Sequence, residues 1–537
     1  MKCRPKAGAG PQSIGFAAAG IHSSISTDGR RSGGSLGSVL TPPFSHAARL
    51  RFKRPRQRRS WRNPCRCGTK IVVERTARRI LIVSYFFPPM GGIGGFRALK
   101  LAKYLPRFGW EVTILTARVP AYYSFDETLE REIPAGTRVL RTASWDPFRT
   151  YARLVGGPAP RPGDRRDPDR FFSRVTRLAK SVNTWLFVPD NSVGWLPFAV
   201  REGRKHLAAG GVDLVLSKSV PHTAHLVARS LHRATGVPWI ADFRDDWVGN
   251  PDLVPPTPIH RAIQSRLARS VLRDADGVVA ANESLRDRLQ AFLGEPHRDR
   301  FDTIHTGYDE DDFEGLEPSG PETRFTLVFS GTFHRRLDPR PVFEGIARAL
   351  SSGRIPRDSF RFVVVGAQQE PLRALARSAG IERETVLSGF LPHREALRRV
   401  LAADLLLLLV SRSPGAEMYS TGKLYEYLRA GRPILVAAPD GEASRIVAEC
   451  RMGVTVPPDD PLAIAEALVA AYERRREGRG DRVGGDRARV AEFAFARQTE
   501  RFVEFAERIL ARGRVGVPRG ARRERPREPV VPAPRPE

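Results

Sequence analysis

The sequence predicts an α/β protein built from two parallel-sheet units, and three observations carry that expectation. Short β-branched and leucine-rich runs alternate with amphipathic helical stretches, the pattern of strands joined by crossover helices. The chain has 537 residues, too many for one ordinary core. The alternation runs as two series, with a break near residues 310–323.

In the first series strands are expected at residues 80–84, 111–116, 213–217, 239–242 and 277–281, and in the second at 326–330, 360–365, 404–410 and 433–437. Helices with apolar faces fall between many of them, for instance at 96–105 and 341–350. Residues 490–510 read as a last helix, with Phe493, Phe502, Phe505 and Ile509 broadly on one side. The expected division is a first unit over 77–315, a second over 316–489 and a terminal helix over 490–512. No repeat of solenoid period is present.

Two basic tails, 1–76 and 513–537, bury too little apolar surface to offset their ordering entropy, so both are expected to be disordered. They hold most of the formal net charge of +29: residues 1–79 carry 18 Lys/Arg against 2 acids, and residues 511–537 carry 8 against 3. The first tail has three readings: translated sequence upstream of a start near Val72 or Val73, a solvated arm for anionic partners, or an organelle transit segment. With the charge in the tails and no DNA- or RNA-reading motif, a nucleic-acid-binding protein is not the expectation. Cys3, Cys65, Cys67 and Cys450 give neither a disulfide framework nor a zinc site. No run reaches the roughly 18 to 20 apolar residues of a membrane-spanning helix, and no secretory h-region is apparent, which points to the cytoplasm. The basic amphipathic stretch from Phe171 to Trp185 reads either as a helix packed on the core or as a contact with an anionic membrane surface through Arg170, Arg174, Arg177 and Lys180.

In open α/β sheets ligands bind beyond the carboxyl ends of the strands, so the loops there carry the chemistry. The first strand runs into Tyr85-Phe86-Phe87-Pro88-Pro89-Met90-Gly91-Gly92 and then a helix. Gly91 and Gly92 let backbone approach a ligand closely, and the helix end offers free N–H groups to an anion. Their spacing differs from the Gly-x-Gly-x-x-Gly dinucleotide fingerprint. A second stretch is more specific: Tyr419-Ser420-Thr421-Gly422-Lys423-Leu424-Tyr425-Glu426-Tyr427, closed by Gly431 and Pro433. Ser420 or Thr421 is placed to cap a helix on which Lys423 and Glu426 share a face. Such a pair suits a nucleotide diphosphate, the lysine meeting phosphate and the carboxylate accepting from ribose hydroxyls. A surface ion pair between the two, worth under about 1 kcal/mol, is the plain alternative.

This stretch resembles the donor-binding element of the retaining glycosyltransferases of family 4, and the likeness extends over about residues 79–510. The loop from Tyr85 to Gly92, Pro189-Asp190 with Gly194-Trp195, Ala241-Asp242-Phe243-Arg244-Asp245 with Trp247, Thr306-Gly307-Tyr308-Asp309, and Ser330-Gly331-Thr332 are similar to that family's motifs, in the same order. The resemblance implies a GT-B fold of two facing Rossmann-like domains, with a UDP- or GDP-linked sugar as substrate and no cofactor. It implies Glu426 on the donor ribose, as the second glutamate of a pair separated by seven residues. The first position of that pair falls on Met418, with Glu417 beside it, and the element is similar to a subgroup with a Ser/Gly-x-Lys-x-x-Glu-Tyr version. Lys423 with Arg335 or Arg336, just beyond Gly331, would neutralise the diphosphate and take the part of a metal ion. No Asp-x-Asp motif stands at a strand end, so no metal is expected. His222 is implied beside the transferred sugar. Arg244 and Asp245 are implied in orienting the acceptor hydroxyl, with mutual pairing or capping of the next helix as alternatives. No protein nucleophile is implied, because in a front-face attack the leaving phosphate helps take the acceptor proton. The acceptor expected is lipid-linked or a polysaccharide, at the inner face of a membrane. A nucleotide-sugar epimerase of the same fold is the second enzyme reading; the further acid/base residues it needs are not identifiable.

Overall fold

The computed structural model describes residues 77–90, 93–118, 127–145, 185, 187–250, 255–294, 298–318, 323–331, 333, 337–366, 369–478 and 485–515. Gly91, Gly92, Arg335, Arg336, the N-terminal tail, nearly all of the 171–185 stretch and residues 516–537 lie outside the described residues.

Strands β1 (Arg78–Val83), β2 (Trp110–Ala117), β3 (Arg138–Thr142), β4 (Leu214–Lys218), β5 (Trp239–Phe243), β6 (Gly277–Ala280) and β7 (Phe301–Thr303) form one sheet, in the order β3-β2-β1-β4-β5-β6-β7. Strands β8 (Phe325–Ser330), β9 (Phe360–Val365), β10 (Thr385–Gly389), β11 (Leu405–Leu409), β12 (Ile434–Ala437) and β13 (Gly453–Val456) form a second, in the order β10-β9-β8-β11-β12-β13. Neighbouring strands pair in parallel throughout, and most crossovers are helices, such as Thr223–Thr235 between β4 and β5. In β1, Leu81 and Val83 pack into one core with Trp239 and Phe243, while Ile80 and Ile82 pack into another with Phe502 and Phe505. Burial of both faces is why such strands read as unbroken apolar runs, β11 being five buried leucines.

All nine expected strands form. Among the described residues four more do: β3, β7, β10 and β13, each at an edge of its sheet. An edge strand needs fewer apolar residues, and neither face of β13 is fully covered. That weakens the pattern that announces the inner strands.

The expected last helix is corrected. It forms as two helices, Arg487–Ala491 and Phe495–Val515, because Tyr308 threads between them. The Tyr308 amide donates to the Phe493 carbonyl at 3.0 Å, and the Phe495 amide donates to the Tyr308 carbonyl at 2.7 Å. Phe493 therefore packs in the second unit's core beside Tyr425, whereas Phe502, Phe505 and Ile509 pack under the first sheet. The apolar side of this stretch serves two cores, one after the other.

Polar contacts fasten the first unit's opening helix, Ile93–Tyr104, to the segment that joins the two sheets. Lys100 Nζ is wholly buried 2.7 Å from Asp309 and 3.0 Å from both Asp312 and Glu132. Asp309 also accepts from Lys103 and from the Tyr104 hydroxyl. Burial alone would raise the Asp309 carboxyl, yet these cations and donors take it down to about 2.

Candidate active site

Loops at the carboxyl ends of the two parallel sheets meet, those after β5 and β6 touching the one after β11. The Gly422–Ala430 helix begins where β11's loop ends. Thr421 sits at its N-cap position but its hydroxyl makes no cap bond; Thr421 Oγ1 is buried without a hydrogen-bond partner, and the first turn carries no acid. Ser420 does not cap either, its hydroxyl accepting from Asn282 Nδ2 at 3.2 Å. The expected cap is thus absent: the Leu424 amide turns back to the Thr421 carbonyl at 3.1 Å, and among the described residues no side chain caps the helix start, the arrangement that receives anions. Gly431 ends the helix in the left-handed conformation, φ 71°.

Lys423 lies across the loop after β8. Its Nζ stands 4.8 Å from the Phe329 ring centroid, and a methyl on Gly331 would fall 1.8 Å from that nitrogen. Gly331 holds φ +147°, and its carbonyl oxygen in turn fills the space where Gly366 would carry a side chain. Two glycines therefore let the loops after β8 and β9 press together and seat the lysine above them. Burial lowers the Lys423 ammonium to about 8, against a raising influence of Glu426. The two residues share a face without forming an ion pair: Glu426 Oε1 is 3.0 Å from His393 Nε2. The surface-pair alternative is not what this helix builds.

Arg244 and Asp245 follow β5 and line a pocket with Asp246, Asn250 and Leu285 on one side and Gly415, Met418 and Tyr419 on the other, about 270 Å³ of space open to solvent. Met418, at the position of the first family glutamate, gives this pocket an apolar wall, and the neighbouring Glu417 is exposed. Arg244 donates through Nη2 to the Thr306 hydroxyl, while its Nη1 is buried without a partner. Burial, and then Arg97, bring Arg244 down to about 10. Thr306 also reaches the start of the lysine-bearing helix, its methyl lying 4.0 Å from a Cβ built on Gly422. The guanidinium is thereby held beside the helix end. Across the same seam Asn282 Nδ2 donates to the Met418 carbonyl at 2.7 Å, and the Ser284 amide and hydroxyl donate to buried Glu442 at 2.8 and 2.7 Å.

His222 is 1% exposed and stacks on Trp247, ring centroids 4.4 Å apart, with neither ring nitrogen hydrogen-bonded. Burial takes it down to about 3, so the ring is neutral. His225 is buried too, its Nδ1 2.8 Å from the Ser217 hydroxyl, and its pKa is lowered in the same way. A histidine of about 6.5 when unfolded and lower when folded stabilises fully above 6.5 and loses that contribution as pH falls toward its folded value. Each unit costs about 1.4 kcal/mol. His222→Phe, which keeps the stacking, is expected to lose about 2 kcal/mol less than the wild type between pH 7.5 and 5.0, read by urea unfolding at both pH values. An equal loss in both proteins would show that His222 is not buried neutral.

Several motif residues work on the fold. Asp190 accepts from the Thr223 amide and hydroxyl at 3.0 and 2.8 Å and fixes the start of that helix. Trp195 donates to Thr142 at 2.7 Å. Asp242 takes Arg97 Nε at 2.6 Å in a pair that is almost wholly buried. Sequence reasoning missed His393, Asn282, Arg97 and Lys218. Lys218 Nζ donates to the Gly94 carbonyl at 2.6 Å, and burial, then Arg244, lower it to about 7. Only Asn282, followed by Glu283 and a leucine-spaced helix, carried a recognisable cap signal.

Two parallel sheets with a pocket among the loops at their carboxyl ends define a two-domain α/β protein, and comparison with known proteins gives its class. Residues 91–307 match the glycosyl transferase 4-like domain, and residues 324–474 match glycosyl transferases group 1. Sequence comparison with curated proteins finds no match. The fold is similar to sucrose-phosphate synthase from Thermosynechococcus elongatus (TM-score 0.55, 15% identity, covering 81% of this chain and 100% of that one). It is also similar to OtsA (0.56, 12%, 80% and 99%) and to HepE of Anabaena in complex with UDP (0.52, 14%, 80% and 100%). The chain belongs to the group 1, 4-like glycosyltransferases of GT-B fold, enzymes that transfer sugar from a nucleotide-sugar donor. Among the described residues no helix is long and apolar enough to cross a membrane.

Proposed function

We propose that this enzyme transfers a sugar from a UDP- or GDP-linked donor to a lipid-linked or polysaccharide acceptor of the cell envelope, at the inner membrane face, without a metal and with retention of configuration. In this reading the N-terminus of the Gly422–Ala430 helix and Lys423 receive the diphosphate, joined by Arg335 or Arg336 and by the backbone at Gly91, Gly92 and Gly331. Glu426 accepts from the ribose hydroxyls, and His222 lies beside the sugar. Arg244 and Asp245 orient the acceptor hydroxyl, whose proton passes to the leaving phosphate as the sugar–phosphate bond breaks. Fixed cations stabilise the charge that develops on that phosphate.

One observation supports the reading most: a half-buried lysine without an ion-pair partner among the described residues, seated over a glycine at an uncapped helix start. Hydrolysis of a panel of nucleotide sugars, with EDTA present throughout, tests it. One donor class turned over in EDTA is the expected result, and activity that appears only with added divalent metal rejects the metal-free mechanism. UDP is the first nucleotide to try, since the HepE structure of similar fold holds it.

A pH dependence follows from the lysine. With Lys423 near 8 in the free protein, its ammonium is fully charged below about pH 7 and its share of diphosphate binding is constant there. Above 8 the protein must take up a proton to bind, and affinity falls up to about tenfold per unit. Calorimetry with UDP from pH 6.5 to 9.5 reads this directly. A flat profile in that range removes Lys423 from the diphosphate site.

A further inference from the structure

Glu426 offers two carboxylate oxygens, and Oε1 is already engaged, 3.0 Å from His393 Nε2. His393 is the first residue of the His393–Leu401 helix, which follows β10. Its ring meets Phe96 of the first unit edge-on, centroids 5.5 Å apart at 74°. The charged groups facing it are Glu426 on the Gly422–Ala430 helix, Asp312 on the joining segment and Lys100 on the opening helix. Burial works against the charged imidazole, but the hydrogen bond and charge of Glu426, with Asp312, raise its pKa above the ordinary value.

We propose that His393 is a positioning residue for donor recognition: it fixes Oε1 of Glu426 so that the second carboxylate oxygen stays turned toward the donor's ribose diol, and Phe96 holds the imidazole in that place. The inference rests on the reading of Glu426 as the ribose acceptor. A glutamate has three rotatable side-chain bonds, and a carboxylate already held loses less freedom when the diol arrives. Phe96 belongs to the helix that follows Gly91 and Gly92, so the ribose-binding carboxylate is braced from the other domain.

Dissociation constants for UDP and 2′-deoxy-UDP separate this role from plain packing; the GDP pair replaces them if GDP binds more tightly. The wild type is expected to prefer the ribonucleotide about tenfold. His393→Phe keeps a ring against Phe96 but donates no hydrogen bond. It is expected to bind UDP about tenfold more weakly and 2′-deoxy-UDP within about twofold of wild type, so the preference disappears. His393→Gln, which still donates, keeps most of it. If the Phe variant melts far below the wild type, His393→Met takes its place. A folded His393→Phe or His393→Met protein that retains the preference, while Glu426→Ala loses it, overturns the inference alone. Retention of the preference by Glu426→Ala overturns the ribose reading itself, as does failure of both UDP and GDP to bind.

Discussion

Lys423→Met is expected to weaken nucleoside diphosphate binding about 100-fold, or about 2.7 kcal/mol, while the protein remains folded. The lysine has no carboxylate partner among the described residues whose loss would unbalance the core, and its ammonium lies over the Phe329 ring, a face that a methionine can also cover. What the variant removes is a cation held at a helix start beside an unpartnered Thr421 hydroxyl. Gly331→Ala reaches the same place from the other side. Its new methyl would fall 1.8 Å from the lysine nitrogen, and φ +147° is a backbone conformation that alanine resists. Either the ammonium moves or the loop does, and diphosphate affinity falls by a comparable factor. Calorimetry with UDP checks both variants; unchanged affinity in a folded Lys423→Met protein shows that the phosphate binds elsewhere.

The second large effect is on stability. Arg97→Met is expected to cost about 3–5 kcal/mol, because it leaves Asp242 buried and unpaired. That carboxylate is 2% exposed and its other oxygen, Oδ1, has no hydrogen-bond partner, so Arg97 is its principal support. The same guanidinium donates to the His305 carbonyl at 2.7 Å, tying the opening helix and the end of β5 to the strand-exit segment after β7. Pairing Arg97→Met with Asp242→Leu should recover part of the loss: the orphaned carboxylate is gone, but buried Lys218 and Arg244, whose charge Asp242 also supports, then keep only Asp245. Urea unfolding of both proteins decides it. A single variant within about 1 kcal/mol of wild type would mean that Asp242 does not depend on Arg97.

What the sequence made legible follows burial. β11 and β9 are hidden on both faces and declare themselves as apolar runs, so the two-sheet architecture could be read directly. β10 and β13 lie at edges and carry mixed patterns, and the loop after β10 went unread with its strand. That loop leads to His393, whose meaning lies only in its contact with a residue 33 positions away. Lys423 and Glu426 were legible because helical spacing places both on one face. That they do not pair with each other was not, because the partner of Glu426 comes from another helix. Phe493 misled for a related reason: periodicity reports that a side chain is buried, not in which core. Asp190 and Asp242 stood out in the motifs, and the structure gives them capping and pairing work that composition could not assign.

The proposed function requires one diphosphate to be gripped where the Lys423 helix begins. A crystal structure of the protein with UDP decides this. Phosphate oxygens are expected within hydrogen-bond distance of Lys423 Nζ and the first N–H groups of the Gly422–Ala430 helix, with the ribose hydroxyls on Glu426. A nucleotide bound away from Lys423, or ribose hydroxyls turned from Glu426 to solvent, would contradict it.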